Sequence, residues 1–310
     1  MADSIREDFV YGLIASPDFG TDRLCFAARQ SGLWRSVDGA ESWQLLQPIE
    51  GASSGVAVTA LALSPGFRTD RTLFVGIPGG VSRSTDGGDS WQAGRLSTPP
   101  PYVSALAVSA NFEVDGIVLA ATLDDGVFRS DDKGANWQAW NFGLFDLNVL
   151  AMSLSPDIAR DRTVYSGTDT GIFLSKNTGR AWHETGFPSD CGPVLSLALS
   201  PQFGQDGILF AGTESAGVFR SADRGLTWRR VLEAETINAI LISPEFADKG
   251  DMLVVSNDAL LTSADGGQTW QNYRPDLQID SGFAAASAPS GFNREIPLLL
   301  GLADGQILKV

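Results

Sequence analysis

Acidic residues recur in short turn-like segments along the sequence, most of which contain glycine, and they are the residues best suited to chemistry. They occur in LDDG, TDTG, TESAG, SNDA and LADG, and they are Asp124, Asp125, Asp169, Glu214, Asp258 and Asp304. Two carboxyl groups held a few ångströms apart can hydrolyse a glycosidic bond as acid and base. Several carboxylates on one face also attract cations. A single Asp or Glu beside glycine is otherwise an ordinary turn former.

Other catalytic groups are scarce in this sequence. Its one histidine, His183, follows a tryptophan in a segment typical of an outer strand, so we expect it to face solvent. A Ser-His-Asp arrangement or a histidine metal site therefore has no support. The two cysteines, Cys25 and Cys191, lie far apart without metal-type spacing, which predicts two free thiols. We expect neither a bound metal nor a cofactor.

One octapeptide recurs six times along the chain. Each copy starts with Ser, has Asp or Asn third and ends with Trp, and the copies are SVDGAESW, STDGGDSW, SDDKGANW, SKNTGRAW, SADRGLTW and SADGGQTW. The third residues are Asp38, Asp86, Asp132, Asn177, Asp223 and Asp265. The tryptophans are Trp43, Trp91, Trp137, Trp182, Trp228 and Trp270, and they recur every 42 to 48 residues. This is the period of a four-stranded propeller blade.

The octapeptide, called the box below, has the composition of a tight turn between two strands. Its Asp can accept hydrogen bonds from the backbone amides that follow, and glycine supplies the positive φ that the reversal needs. Its Trp is expected to pack as a large apolar cap between neighbouring sheets. The fourth copy has Asn177 followed by Thr178 instead of Asp followed by Gly, so we expect its hairpin to be the loosest.

The segments around the boxes predict strands. Stretches such as VTALALSP, LSLALSP and ILFAG are short, apolar and punctuated by Pro and Gly. They give six units of four strands, over residues 10–46, 58–96, 103–140, 149–184, 194–232 and 237–273. The tail from 282 to 310 repeats only the first three strands, and Met1 to Phe9 can supply the fourth.

We therefore predict an all-β fold, a seven-bladed β-propeller, as a single domain over residues 1–310. With the strands of a blade labelled A to D from the centre outward, the boxes form the turns between strands C and D in six blades. The N-terminal segment closes blade seven, which hides an exposed sheet edge.

Propeller geometry divides the loops between two rims. The A–B turns share the box rim with the boxes, whereas the B–C turns share the link rim with the connections between blades. The six carboxylates named first fall on the link rim, in five of the seven blades. Aromatic residues of the links join them there, and the candidates are Tyr102, Phe142, Phe145 and Tyr273. We expect this acidic rim with exposed aromatic residues to bind a ligand.

The composition restricts the partners. The formal net charge of -15 at pH 7 repels nucleic acid and anionic membranes and favours basic partners. No run approaches the roughly 18 apolar residues of a membrane span, and the first ten residues lack the apolar core of a secretory signal. We expect no nucleic-acid binding, no membrane insertion and a cytoplasmic location.

The boxes and their period carry a family resemblance. Over essentially its whole length the chain resembles the Asp-box, or BNR-repeat, propellers. This superfamily includes sialidases, xyloglucan-cleaving glycosidases built from two such propellers, the sortilin ectodomain and a photosystem II assembly factor. The resemblance implies the propeller fold but no single activity, because these proteins differ in function.

The enzymes of that superfamily impose requirements on the sequence. Sialidases carry an Arg-Ile-Pro motif, which this chain lacks, and three arginines that hold the carboxylate of the sugar. Only Arg29, Arg95 and Arg274 fall near predicted loops without a repeat-dictated position. The two-propeller glycosidases place their carboxylates across a cleft between two rings, whereas this chain predicts one ring.

The sequence therefore favours a non-catalytic binding or scaffold propeller that docks a protein, expected to be basic, through the acidic link rim. The alternative is a carbohydrate-binding protein or a glycoside hydrolase that uses two of the six carboxylates. Whether the protein is an enzyme stays open, although the scarcity of catalytic groups favours a protein without catalytic activity.

Overall fold

The computed structural model describes residues 8–46, 55–97, 99, 101–289, 291–292 and 297–310. Their strands form seven small antiparallel sheets, which are the blades. Within each blade, strands that are consecutive in the chain are neighbours in the sheet.

The first three blades each contain four strands, with a one-turn helix between strands A and B. Blade one contains β1 (Val10–Ala15), α1 (Phe19–Asp22), β2 (Cys25–Arg29), β3 (Gly32–Ser36) and β4 (Gln44–Leu45). Blade two contains β5 (Ala60–Leu63), α2 (Phe67–Asp70), β6 (Leu73–Ile77), β7 (Gly80–Ser84) and β8 (Gln92–Arg95). Blade three contains β9 (Tyr102–Val108), α3 (Phe112–Asp115), β10 (Val118–Leu123), β11 (Gly126–Ser130) and β12 (Gln138–Ala139).

The next three blades repeat this order, and the last has three strands among the described residues. Blade four contains β13 (Val149–Leu154), α4 (Ile158–Asp161), β14 (Val164–Thr168), β15 (Ile172–Ser175) and β16 (His183–Glu184). Blade five contains β17 (Val194–Leu199), α5 (Phe203–Asp206), β18 (Leu209–Thr213), β19 (Val218–Ser221) and β20 (Arg229–Leu232). Blade six contains β21 (Ile237–Ile242), α6 (Phe246–Lys249), β22 (Asp251–Ser256), β23 (Leu260–Ala264) and β24 (Gln271–Asn272). Blade seven contains β25 (Phe283–Ser287), β26 (Leu299–Leu302) and β27 (Ile307–Lys309).

A hydrogen bond between two side chains braces the A–B turns of the first five blades. In blade one, Ser16 Oγ donates to Asp22 Oδ2 at 2.6 Å, and Asp22 Oδ1 accepts from the backbone N of Leu24. The same serine–aspartate bond recurs in Ser64–Asp70, Ser109–Asp115, Ser155–Asp161 and Ser200–Asp206. The Asp that recurs in the sequence repeat therefore fixes the start of strand B, because it binds both ends of the turn.

The core lies between neighbouring blades. At four junctions, an aromatic ring of one blade packs on an aromatic ring of strand B in the preceding blade, with the two rings nearly perpendicular. Phe67 of blade two packs on Phe26 of blade one in this way, with ring centroids 5.9 Å apart. The other pairs are Phe112 on Phe74, Phe203 on Tyr165 and Phe246 on Phe210. This edge-to-face packing fixes the angle between sheets.

The ring closes between blade seven and blade one. Val10, the first residue of β1, packs on Gly301 of β26, and it is fully buried. Val103 packs on Gly76 in the same way where blade three meets blade two. The closed, seven-bladed all-β ring that the repeats predict is thus confirmed.

Part of the predicted closure of blade seven lies outside the described residues. The strand expected over Met1 to Phe9 has only Asp8 and Phe9 within the described range. The carbonyl oxygen of Asp8 lies beside Gly305, before strand C of blade seven. In blade five the carbonyl oxygen of Leu232, on strand D, lies beside the equivalent Gly217. Asp8 therefore stands where a strand D ends, and the strand of residues 1–7 stays a prediction.

Among the described residues, none of the helices has the length and apolarity that a transmembrane helix needs.

Candidate functional site

The boxes form the C–D turns, and their carboxylates are engaged by the turns themselves. In blade two, Asp86 Oδ1 accepts from Ser84 Oγ at 2.7 Å and from the backbone N of Asp89 and Ser90 at 3.0 and 2.9 Å. Ser90 Oγ donates to the other carboxylate oxygen. The bond from Ser90 contributes most to lowering the pKa of Asp86 to about 2. The corresponding Ser and backbone bonds surround Asp38, Asp132, Asp223 and Asp265.

The fourth box keeps most of this geometry despite its Asn. Asn177 Oδ1 accepts from Ser175 Oγ and from the backbone N of Arg180 and Ala181. The bond that Ser90 makes in blade two has no counterpart, because Ala181 has no hydroxyl and Asn has an amide nitrogen in place of the second oxygen. The turn therefore forms with one bond fewer, and its expected looseness stays a prediction.

The box tryptophans lie where neighbouring blades meet. Trp91 and Trp182 are 6% and 5% exposed. Trp182 Nε1 donates to the carbonyl of Trp140, and Trp270 Nε1 donates to that of Val231, in each case on the preceding blade. The partly buried tryptophans are Trp43, Trp137, Trp228 and Trp270. The boxes are thus structural elements of the ring.

The structure places all six candidate carboxylates in the B–C turns of the link rim. The exposed ones are Asp124, Asp169, Glu214 and Asp258, and the half-buried ones are Asp125 and Asp304. Some also support their own turn, since Asp258 accepts from Ser256 Oγ at 2.9 Å and Asp304 accepts from the backbone N of Gln306 at 3.0 Å. Within the part of the chain described, no three His, Cys, Asp or Glu side chains are grouped so that they could hold a metal ion.

The predicted aromatic residues have different surroundings. Phe142 and Phe145 are 82% and 81% exposed. Tyr102 is 40% exposed. Burial, together with its contact to Tyr11, raises the pKa of its hydroxyl. Tyr273 packs against Phe292 with ring centroids 5.8 Å apart, so its ring is part of a core contact rather than a free surface. Only part of the predicted aromatic set is therefore available to a partner.

The backbone beside Phe145 is hydrogen-bonded to two blades at the link rim. The neighbouring Leu144 is 5% exposed and anchors the link in the junction of blades three and four. The Asp146 carboxylate accepts from the backbone N and the hydroxyl of Thr170, in the B–C turn of blade four, at 2.9 and 2.8 Å. Leu147 O accepts from Gly126 N, in the B–C turn of blade three, at 2.9 Å.

The same turns carry carboxylates next to the residues that bond to the link. Asp124 and Asp169 are exposed on blades three and four, on either side of the link. Burial acts to raise the pKa of Asp146, but hydrogen bonds from Thr170 and Asn148 lower it below its ordinary value. We call this surface the Phe145 patch, and its residues are Asp124, Phe145, Asp146, Leu147 and Asp169.

The three candidate arginines do not assemble a sugar-binding trio, and Arg29 and Arg95 are the last residues of β2 and β8. Arg29 pairs with Asp8 at 3.3 Å and stacks over the ring of Trp34. Arg274 pairs with Asp276 at 3.1 Å. Two of the three cations are thus neutralised locally, and they belong to different blades.

Histidine and cysteine lie where the sequence places them. His183 is exposed on β16. Cys25 and Cys191 are free thiols, and burial raises the pKa of Cys25 to about 12. Cys25 is therefore an unreactive core residue.

The inner strands carry a set of polar contacts that sequence reasoning missed. Thr59 Oγ1 donates to the carbonyl of Val103 at 2.6 Å, from blade two to the first inner residue of blade three. Equivalent contacts between blades are Ser104 to Val149, Ser196 to Ile237 and Asn238 to Phe283. The available signal was a lone polar residue at the second or third position of an apolar inner strand.

Comparisons with known proteins identify the fold. No family model matches the chain, and no curated protein matches it. The GH74 xyloglucanase from Xanthomonas campestris superposes with a TM-score of 0.73 at 18% identity, over 97% of this chain and 51% of that one. This chain thus spans about half the length of the xyloglucanase.

Two further solved structures share the architecture. YCF48 bound to D1 peptide gives a TM-score of 0.70 at 16% identity, over 98% of this chain and 93% of that one. The extracellular domain of the putative one component system BT4673 from B. thetaiotaomicron gives a TM-score of 0.72 at 15% identity, over 98% of this chain and 38% of that one. At these identities the likeness shows the fold alone, so the protein is an all-β, seven-bladed β-propeller.

Proposed function

We propose that this protein is a non-catalytic binding propeller of the Asp-box type, which docks a basic segment of a partner protein on the Phe145 patch. One observation carries the proposal. Phe145 is 81% exposed, yet its link is hydrogen-bonded to the turns of two blades. An exposed aromatic side chain on an anchored backbone suits a protein interface, because it can bury a large apolar area while the backbone is already ordered.

The charge of the link rim favours a basic partner. Asp124 and Asp169 flank the anchor, and neither forms an ion pair with any described residue. The net charge of -15 adds a long-range field of the same sign. A Lys- or Arg-rich segment would approach this rim faster and bind it more tightly at low salt.

The box rim lacks comparable anchors among the described residues. Its exposed large apolar side chains are Val37, Val114 and Leu226, which are aliphatic and belong to three different blades. The exposed aromatic residues Tyr102, Phe142 and Phe145 all lie at or in the links between blades. The distribution of exposed aromatic residues therefore favours the link rim.

The comparisons are compatible with a binding role. The solved structure of YCF48 contains a bound D1 peptide, and the superposition covers 93% of YCF48. A carbohydrate-active role is the alternative, since GH74 enzymes share the fold. It would need a pair of link-rim carboxylates at a catalytic spacing.

The experiment compares matched variants on the two rims. Fluorescently labelled peptides that alternate Lys or Arg with apolar residues are titrated at low and high salt. We expect Phe145→Ala, and separately Asp124→Asn with Asp169→Asn, to weaken binding by about tenfold. Val114→Ala with Glu113→Gln, an equally exposed pair on the box rim, should leave binding unchanged.

Three outcomes would reject the proposal. The first is that no peptide binds in a saturable, salt-sensitive way, and the second is that the variants on both rims weaken binding equally. The third is specific binding or hydrolysis of a glycan on an array, with loss of the signal in Asp124→Asn or Asp169→Asn, which would establish the carbohydrate-active alternative.

A further inference from the structure

One link carries a cluster of exposed apolar side chains. The link between blades three and four comprises residues 140–148, and it contains Phe142, Phe145 and Leu147, which are 82%, 81% and 37% exposed. Among the described residues, no other link or turn contains two large apolar side chains that are exposed. Single apolar residues are common on protein surfaces, whereas a cluster is typical of an interaction site.

Phe142 lies at the tip of a tight turn. Leu144 N donates to the carbonyl of Asn141 at 3.0 Å, and Gly143 has a φ of 79° at the third position of this turn. Both features define a type II turn, in which Phe142 occupies the second position. The carbonyl of Phe142 also accepts from Trp182 N of blade four at 2.8 Å. The backbone at Phe142 is therefore bonded to a blade, while its side chain is exposed.

A cation lies close to this end of the link. The guanidinium of Arg180, in the box of blade four, lies over the ring of Trp140, two residues before Phe142, at 5.7 Å from the centroid. Asp131 pairs with Arg129 at 2.9 Å and with Arg180 at 3.7 Å. One carboxylate is thus shared by two guanidinium groups and does not neutralise both. The Arg180 side chain is 50% exposed, so it can pair with a further carboxylate.

The two ends of the link therefore offer different charges. The turns beside the Phe145 end carry the exposed carboxylates of Asp124 and Asp169, whereas the Phe142 end lies toward Arg180. A segment that complements both ends is basic on one side and acidic on the other.

The spacing of the two phenylalanines limits the apolar part of such a segment. Phe142 and Phe145 are three residues apart, so their Cα atoms are separated by at most about 10 Å. In an extended segment, alternate side chains project from the same face about 6.6 Å apart. Two apolar residues with one residue between them can therefore contact both rings.

We propose that the partner's basic segment crosses this link from the Phe145 patch toward Phe142 and Arg180. Its pattern is basic residues, then two apolar residues with one residue between them, then an acidic residue. The basic residues lie at the carboxylates of the patch, the apolar ones cover Phe145 and Phe142, and the acidic one pairs with Arg180. This inference rests on the proposed function, to which it adds the sequence pattern and the direction of the partner segment.

The test titrates the full chain with a fluorescent peptide of two lysines, leucine, serine, leucine and two aspartates in this order, and with the peptide of reversed order. The tighter binder of the two is the parent peptide. Two altered forms of the parent dissect the contacts. In the serine form, serine replaces the leucine next to the aspartates, and in the asparagine form, two asparagines replace the aspartates.

Each variant of the link should affect one contact. Phe142→Ala should weaken the parent peptide about tenfold, and it should not weaken the serine form, which has already lost that contact. Arg180→Gln should weaken the parent peptide about threefold at low salt and leave the asparagine form unchanged.

Matched controls come from the box rim of the same two blades. Val114→Ala replaces an apolar residue of blade three that is 81% exposed. Arg160→Gln replaces an arginine of blade four that pairs with Asp157 at 3.5 Å. Both variants should bind every peptide like the wild type.

The outcomes separate this inference from the proposed function. If Phe145→Ala weakens the parent peptide but Phe142→Ala or Arg180→Gln does not, the inference is overturned and the proposed function stands. The same holds if either variant weakens the parent and its altered form equally, or if only the peptides that alternate Lys or Arg with apolar residues bind. If no peptide of any of these patterns binds, both are overturned.

Discussion

Gly301 lies against Val10 where the last blade meets the first, so close that a methyl group on Gly301 would stand 2.5 Å from Val10 Cγ1. Blades two and three meet in the same way, since a methyl group on Gly76 would stand 2.7 Å from Val103 Cγ1. The junction that closes the ring is therefore packed like the junctions within it. No gap remains there to absorb an added carbon atom.

Gly301→Ala should lower the free energy of unfolding by about 1 to 3 kcal/mol, because the new methyl group overpacks the closure. Urea denaturation measures the change. Gly20→Ala is the control, since a Cβ at Gly20 would meet nothing within 4 Å. Equal stability of the two variants would show that the first and last blades do not touch as described.

Asp8 should stabilise the contact between the N-terminal segment and blade one. Its Oδ1 accepts from the backbone N of Ser31 at 2.8 Å, and its Oδ2 accepts from Ser31 Oγ at 2.9 Å and pairs with Arg29. Asp8→Ala should cost about 1 to 3 kcal/mol, because it leaves these donors without partners. Asp8→Asn keeps one acceptor oxygen and should cost less. If chemical denaturation finds both variants as stable as the wild type, the contacts of Asp8 do not stabilise the fold.

Trp91→Ala should cost about 3 to 5 kcal/mol, since the indole is 6% exposed and packs in the junction of blades one and two. Its Nε1 makes no hydrogen bond, so Trp91→Phe should cost much less. The half-buried Trp43 provides the comparison, with a smaller loss for Trp43→Ala. Thermal and urea unfolding of the three variants check this order, and an equal loss at both tryptophans would refute it.

Ser90→Ala should make stability less sensitive to acid. The Ser90 hydroxyl is the main cause of the shift in the pKa of Asp86 from 3.8 to about 2. A carboxyl with a lower pKa in the folded state stabilises the protein above about pH 4, and this contribution is lost as the pH falls toward 2. The variant should therefore be less stable than the wild type at pH 7 and approach it near pH 2. A stability difference that is constant between these pH values would exclude the linkage.

The predictable part of the fold depends on local chemistry that repeats. The box turn needs only Ser84, Asp86 and the amides next to them, so its hydrogen bonds follow from eight consecutive residues. The rim on which the carboxylates lie follows from the order of strands. The packing of Tyr273 could not be predicted from its sequence neighbours, because its ring contacts Phe292, which is distant in the chain.

The sequence by itself determined the number of blades, the turns that join strands C and D, and the single-ring architecture, because each depends on a short motif repeated at a regular period. Only the tertiary structure decided which side chains meet across blades. Phe145 is exposed while Tyr273 is packed, Asp8 binds the turn of blade one, and the hydroxyl of Ser82 is buried without a hydrogen-bond partner. These contacts join residues from different repeats, and burial there depends on how neighbouring sheets fit together rather than on the period of either one.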